Sequence, residues 1–187
     1  KGLIAIDIEM QIVKAVSELP NGDIFVGGRD YGGSYPAIGK VDGEGNYVAF
    51  RHLAECYNEP THMCQGDIFD SFVSDEGNIV FTGYAYFTNV NWLSQQGMVY
   101  VANSDLETVW TTGYGEEGSD KFTDVFQDEN GSILASGYVH YDGHQKATAV
   151  KLSYASDCTD IDGCNYNQYA DYDDGSCWQP LDSCTCD

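Results

Sequence analysis

Apolar and polar residues alternate in short runs along most of the chain, and one phrase returns three times: Asn21-Gly-Asp-Ile-Phe-Val-Gly-Gly28, Glu76-Gly-Asn-Ile-Val-Phe-Thr-Gly-Tyr84 and Asn130-Gly-Ser-Ile-Leu-Ala-Ser-Gly-Tyr138. The leading glycines, Gly22, Gly77 and Gly131, stand 55 and 54 residues apart. Six residues after each comes a second glycine, Gly28, Gly83 or Gly137, with a mostly apolar strand between. Three copies at a nearly constant period mark a repeated supersecondary unit.

A second strand-like run precedes each phrase, over residues 12–16, 68–73 and 122–126. The intervening turns hold Asn or Gly, which tolerate the positive φ of a tight turn, so each repeat is predicted to contain a hairpin. Third strands are expected at residues 37–41, 98–102 and 147–152, after loops rich in Gly, Tyr and Asn. Fourth strands are expected in the first two repeats only, at residues 47–50 and 107–111. No amphipathic helical period stands out. The fold class is therefore all-β: three propeller-blade-like antiparallel repeats of a four-stranded pattern, with a small C-terminal module.

Phrase and spacing over residues 10–153 resemble the secreted bacterial propeller-like repeats in which Asp-Gly-Gly-Tyr-like turns precede an Ile-x-x-x-Gly strand. Two features depart from a whole propeller. Three blades fall short of the four to eight usual for such rings, and the third repeat lacks its fourth strand. A spare apolar strand at residues 2–8, with Leu3, Ile4, Ile6 and Ile8, could close the third sheet in cis or add to a neighbouring chain in trans. The trans arrangement extends head to tail, predicting a homo-oligomer or filament.

Residues 155–187 form a second predicted domain after the β-repeat domain of residues 1–154. They carry eight aspartates and five cysteines with no Lys or Arg, too little apolar surface for a core of their own. Asp160, Asp162, Asn165, Asn167, Asp171, Asp173 and Asp174 offer oxygen ligands at close spacing, and Gly163 and Gly175 allow sharp turns. That pattern suits Ca²⁺, which takes six to eight oxygens, better than Mg²⁺, which keeps its waters. The stretch from Cys158 to Cys177 resembles a short repeat of large secreted and surface proteins of Bacteroidetes-like bacteria, Cys-Thr-Asp-Pro-x-Ala-x-Asn-Tyr-x-Pro-x-Ala-x-x-Asp-Asp-Gly-Ser-Cys. Cys158, Thr159, Asp160, Asn165, Tyr166, Ala170, Asp173, Asp174, Gly175, Ser176 and Cys177 match it, whereas Ile161 and Gln168 replace its prolines and Gly163 its alanine. The resemblance implies an extracellular setting.

Zinc-type Cys-x-x-Cys pairs are absent, so the seven cysteines read as disulfide candidates. Cys56 and Cys64 enclose a loop short enough for a local bridge. Cys158, Cys164 and Cys177 are expected to form one bridge among themselves and one to Cys184 or Cys186, with the connectivity open and one thiol left over. The chain begins at Lys1, as a secreted product would after loss of its signal peptide. A net charge of −22 argues against nucleic acid or an anionic membrane as partner, and no apolar run approaches membrane-spanning length.

Catalytic signatures are lacking: there is no nucleophile elbow, zinc-protease helix or phosphate loop, and His140 and His144 read as polar residues of a repeat loop. A non-enzymatic structural or adhesive role follows as the expectation. Aromatic residues in or beside the long loops, Tyr31, Tyr35, Tyr84, Tyr86, Trp92 and Tyr141, are candidates for stacking on sugar rings, which makes a polysaccharide-binding module the alternative.

Overall fold

The three repeated phrases fold as hairpins in a computed structural model, which describes residues 8, 10–30, 35–53, 63–89, 92–115, 118–152, 156–157, 160–161, 163, 172–173 and 177. The hairpins pair β1 (Met10–Glu18) with β2 (Ile24–Asp30), β5 (Met63–Val73) with β6 (Ile79–Asn89), and β9 (Lys121–Gln127) with β10 (Ile133–Tyr141). Third strands β3 (Pro36–Val41), β7 (Trp92–Ala102) and β11 (His144–Leu152) follow, and fourth strands β4 (Tyr47–His52) and β8 (Thr108–Tyr114) exist in the first two repeats. The result is three antiparallel meanders of four, four and three strands, called here sheets 1, 2 and 3, with no helix among the described residues. Two short parallel strands, β12 (Ser156–Asp157) and β13 (Tyr172–Asp173), lie in the C-terminal region. The chain divides into two units, Lys1–Lys151 and Leu152–Asp187.

The two glycines of each phrase serve different needs. Gly22, Gly77 and Gly131 sit in the hairpin turns at φ of 89°, 82° and 83°, a left-handed conformation that costs a residue with a Cβ about 1 kcal/mol or more. In each turn the residue three before the glycine, Leu19, Ser74 or Asp128, accepts the glycine N–H at its carbonyl. Gly28, Gly83 and Gly137 instead lie under a backbone crossing: a Cβ there would overlap the carbonyl oxygen of Ile12, Asp67 or Lys121 on the first strand of the same sheet. All three first strands also carry a register shift at the same repeat position, so that Lys14, Phe69 and Thr123 are extra residues bulged out of the ladder.

Stacking puts the first strands side by side, β1 against β5 and β5 against β9. Sheets 1 and 2 share an apolar core that includes Ala15, Phe25, Ile38, Ile68, Phe81 and Met98. Phe25 and Phe81 stack across it at 5.8 Å, and Phe81 stacks on Tyr100 at 4.8 Å. Polar bonds fix the alignment of sheet 1 on sheet 2: Lys14 Nζ donates to Asp67 Oδ2 at 2.5 Å, Ser17 bonds the Ser71 hydroxyl at 2.8 Å, and Lys40 Nζ donates to the Ser104 carbonyl at 2.7 Å. Phe122 of sheet 3 packs directly on Gly97 of sheet 2. The Val125 N–H donates to Asp70 Oδ2 at 3.0 Å across the same junction. The sheets thus follow one another in chain order.

Two expectations need correction. The segments read as long loops after Tyr84 and Tyr138 are strand instead: β6 and β7 run on to Asn89 and from Trp92, and β10 and β11 are separated by two residues. Asp142 and Gly143 both adopt positive φ, 53° and 72°, and a two-residue turn of that hand matches strand twist, so the hairpin continues to its tip. His140 and His144 consequently belong to strands rather than a loop. Of the spare N-terminal strand only Ile8 is described; it packs with Met10, Val26, Ala37 and Phe50 on the outer face of sheet 1, and Leu3, Ile4 and Ile6 lie outside the described residues.

Candidate binding site

Chemistry-bearing side chains gather near the C-terminal end of β10. Between the end of β8 and the end of β10 a cleft of about 380 Å³ is lined by Gly113, Tyr114, Gly115, Val139, His140 and Tyr141. Tyr114 and Tyr141 are both about half exposed, at 45% and 53%, so their rings remain available to a ligand. Lys146 Nζ lies 4.3 Å from the centre of the Tyr141 ring.

Beneath the cleft Asp120 is fully buried. Its Oδ1 accepts the His140 N–H at 2.5 Å, while Oδ2 makes no hydrogen bond. The glycines explain the geometry. At Gly115 a Cβ would collide with the Asp120 carboxylate, and at Gly118 with the His140 side chain; their φ values of 134° and 155° also disfavour side chains. His140 Nδ1 is 3.7 Å from Asp120 Oδ1 and 3.1 Å from the Ser119 carbonyl oxygen. Gln95 Nε2 donates to the Asp120 carbonyl at 3.1 Å and the Tyr86 hydroxyl donates to Gln95 Oε1 at 3.1 Å, tying Tyr86 to the floor of the cleft.

A second cluster joins all three sheets. Arg29, Tyr84 and Tyr138 occupy one repeat position, directly after the second glycine of each phrase. Lys14 Nζ lies over the Phe69 ring at 4.3 Å, and Lys121 Nζ lies 5.2 Å from Phe69 and 4.9 Å from Tyr138. Asp67 is buried, held by Lys14 through Oδ2, while its Oδ1 and the Nε of Arg29 make no hydrogen bond. Burial pushes the Tyr84 phenol above its ordinary value, and the Asp67 carboxylate beside it adds to the shift. Cations over rings and one paired carboxylate pack this cluster together.

The aromatic candidates fare unequally. Tyr141 lines the cleft; Tyr84 and Tyr86 pack edge to face at 6.1 Å and are half-buried in β6. Tyr35 is half-buried just before β3, where its N–H donates to Asp30 Oδ1 at 3.2 Å. Trp92 is placed by its backbone at the start of β7, and Tyr31 lies outside the described residues. Asp120 and Tyr114 were not legible as site residues; the signal that could have found them is the run Gly113-Tyr-Gly115 followed by Gly118-Ser-Asp120.

For the ion-binding candidates the described residues reach Asp160, whose carbonyl accepts the Gly163 N–H at 2.9 Å, and the backbone of Asp173 in β13. Asp162, Asn165, Asn167, Asp171 and Asp174 lie outside them. Among the described residues no group of three or more His, Cys, Asp or Glu is arranged to hold a metal. Cys177 is disulfide-bonded. Cys56, Cys158, Cys164, Cys184 and Cys186 lie outside the described residues, and Cys64 is placed by its backbone in β5. No protein-family model matches the chain, and no curated protein matches it.

Proposed function

We propose that this chain is a non-enzymatic extracellular structural or adhesive module that works by self-association, as a unit of a larger surface assembly. The observation that carries this reading is the unfinished third sheet. β3 is buried at every position and Met98–Ala102 of β7 likewise, yet no residue of β11 is buried. β11 has β10 on one side and, among the described residues, no strand on the other. An open edge of this kind takes up a strand from another chain, and the apolar residues Leu3, Ile4 and Ile6, ahead of the Ile8 that packs on its own sheet 1, supply one. Addition from copy to copy gives a homo-oligomer or a filament. Electron microscopy of the purified chain, with and without residues 1–9, tests this: assemblies that disappear on the deletion support it, and particles indifferent to the deletion overturn the strand-addition route.

In the same reading Ca²⁺ rigidifies the C-terminal unit, with Asp160, Asp162, Asn165, Asn167, Asp171, Asp173 and Asp174 as its oxygen donors and disulfides among Cys158, Cys164, Cys177, Cys184 and Cys186 as staples. The support is the density of carboxylates in a stretch without a single Lys or Arg. Melting with Ca²⁺ or with chelator is the check: Ca²⁺ at a hundredfold excess over its Kd should stabilise by about 2.7 kcal/mol. Identical melts in the two conditions would remove the ion from the account.

The cleft of Tyr114, His140 and Tyr141 supports the second reading, a carbohydrate-binding module, because two half-exposed phenol faces beside polar groups suit stacking on a sugar ring. A glycan array on wild type and Tyr141→Ala separates it from the first.

A further inference from the structure

Thirty acidic side chains stand against eight basic ones in this chain. Two of the eight, Arg29 and Lys121, nevertheless pair with no carboxylate among the described residues, and both belong to the cluster that joins the three sheets. Lys121 Nζ faces rings instead, 5.2 Å from the centre of Phe69 and 4.9 Å from that of Tyr138. Lys14 Nζ approaches the same Phe69 ring to 4.3 Å, which places the two ammonium groups within about 10 Å of each other, roughly one Debye length. Asp67 enters the cluster already paired with Lys14. Other carboxylates on these strands are engaged elsewhere, Asp30 by the Tyr35 N–H and His52, and Asp70 by the Val125 N–H.

The repeat explains the convergence. β1, β5 and β9 lie side by side, and Phe69 stands at the bulge of β5, the position of Lys14 in β1. Arg29, Tyr84 and Tyr138 share the position after the second glycine, and Lys121 pairs across from Tyr138. Phe69 and Tyr84 lie 5.9 Å apart. Phe69, Tyr84, Tyr138, Arg29 and Lys121 are all half-buried, so each keeps part of its surface open to solvent. Arg29 Nε is buried without a partner, which leaves the outer nitrogens of the guanidinium to make its hydrogen bonds.

Gathering like charges costs free energy, and a ring face offsets that cost less than a carboxylate would. The component that completes the cluster is therefore an anion. With a net charge of −22 the whole chain repels dense polyanions, so the anion is a small one carrying a single charge. Half-open phenol faces suit the apolar face of a pyranose, and a guanidinium suits a carboxylate. We infer that this patch binds an acidic sugar, a pyranose bearing one carboxylate, with Tyr84 and Tyr138 against the ring and the charges of Arg29 and Lys121 drawing the carboxylate. The site goes beyond the self-association reading and rests neither on it nor on the cleft of Tyr114 and Tyr141.

Isothermal titration with methyl β-glucuronoside and methyl β-glucoside, one pyranose with and without its carboxylate, tests the inference. Wild type should bind the uronoside about tenfold more tightly than the glucoside, the worth of one charge-assisted hydrogen bond. Lys121→Gln and Arg29→Gln should each lose that preference, Lys121→Arg should keep it, and added salt should erode it. Thermal melts equal to wild type verify that the variants are folded, and the comparison of the two sugars on wild type stands without them. Equal affinity for the two sugars, or no heat from the uronoside, overturns the inference. Binding lost in Tyr141→Ala but kept in Lys121→Gln moves the sugar to the cleft and overturns it as well. Sulfate that competes as well as the uronoside reduces the patch to a general anion site, and an aspartate-rich peptide that binds where the uronoside does not makes it a protein contact; either overturns the sugar. None of these outcomes bears on assembly, which the deletion of residues 1–9 reads separately.

Discussion

Leu106 holds a positive φ of 65° in the turn before β8, where equivalent turns of the chain use glycine, as at Gly45. Its side chain is buried in the core between sheets 1 and 2, and its carbonyl accepts Arg51 Nη1 at 3.1 Å. Burying a leucine outweighs the roughly 1–2 kcal/mol of left-handed strain. Leu106→Gly should therefore lower unfolding free energy in urea by about 2 kcal/mol despite relieving the backbone. The repeat glycines give the converse case. Gly77→Ala meets open space and costs about 1 kcal/mol through φ, whereas Gly83→Ala meets the Asp67 carbonyl and should cost about 3 kcal/mol or prevent folding. Equal effects in urea unfolding would contradict the distinction between turn glycine and crossing glycine.

At the scale of elements, the hairpins were readable because apolar alternation and turn glycines recur in phase. The bulges at Lys14, Phe69 and Thr123 were not, since three unlike residues occupy a position defined by backbone geometry alone. Strand length beyond Tyr84 and Tyr138 is hidden for a related reason: Gly, Tyr and Asn suggest loop, but paired ladders and a left-handed Asp142-Gly143 turn carry them as strand. Of the cleft only Tyr141 was foreseen as a binding residue, because Asp120 gains its meaning from the packing of Gly115 and the amide of His140.

The junction between sheets 2 and 3 also has a pH signature. The hydrogen bond between the carboxyls of Asp124 and Asp70, with burial and charge repulsion adding, holds Asp124 above its ordinary value of 3.8. A raised value means the fold binds this proton more tightly than the unfolded chain does, so the pair is favoured as pH falls through the raised value and strained above it. Asp124→Asn should stabilise the chain at neutral pH, with the gain shrinking as pH falls toward and below 3.8. A difference independent of pH, followed by thermal melting from neutral to acid, would contradict the shared proton.

For the whole molecule, the open edge of sheet 3 at β11 carries the account. The count of three sheets was legible from the period alone, but the bare edge of β11 among the described residues became visible only from the strand pairing. The most direct measurement is the mass of the 187-residue chain in solution across a concentration series by sedimentation equilibrium. The account predicts a mass that rises with concentration above the 20.6 kDa of one chain, and a mass fixed at 20.6 kDa throughout would contradict it.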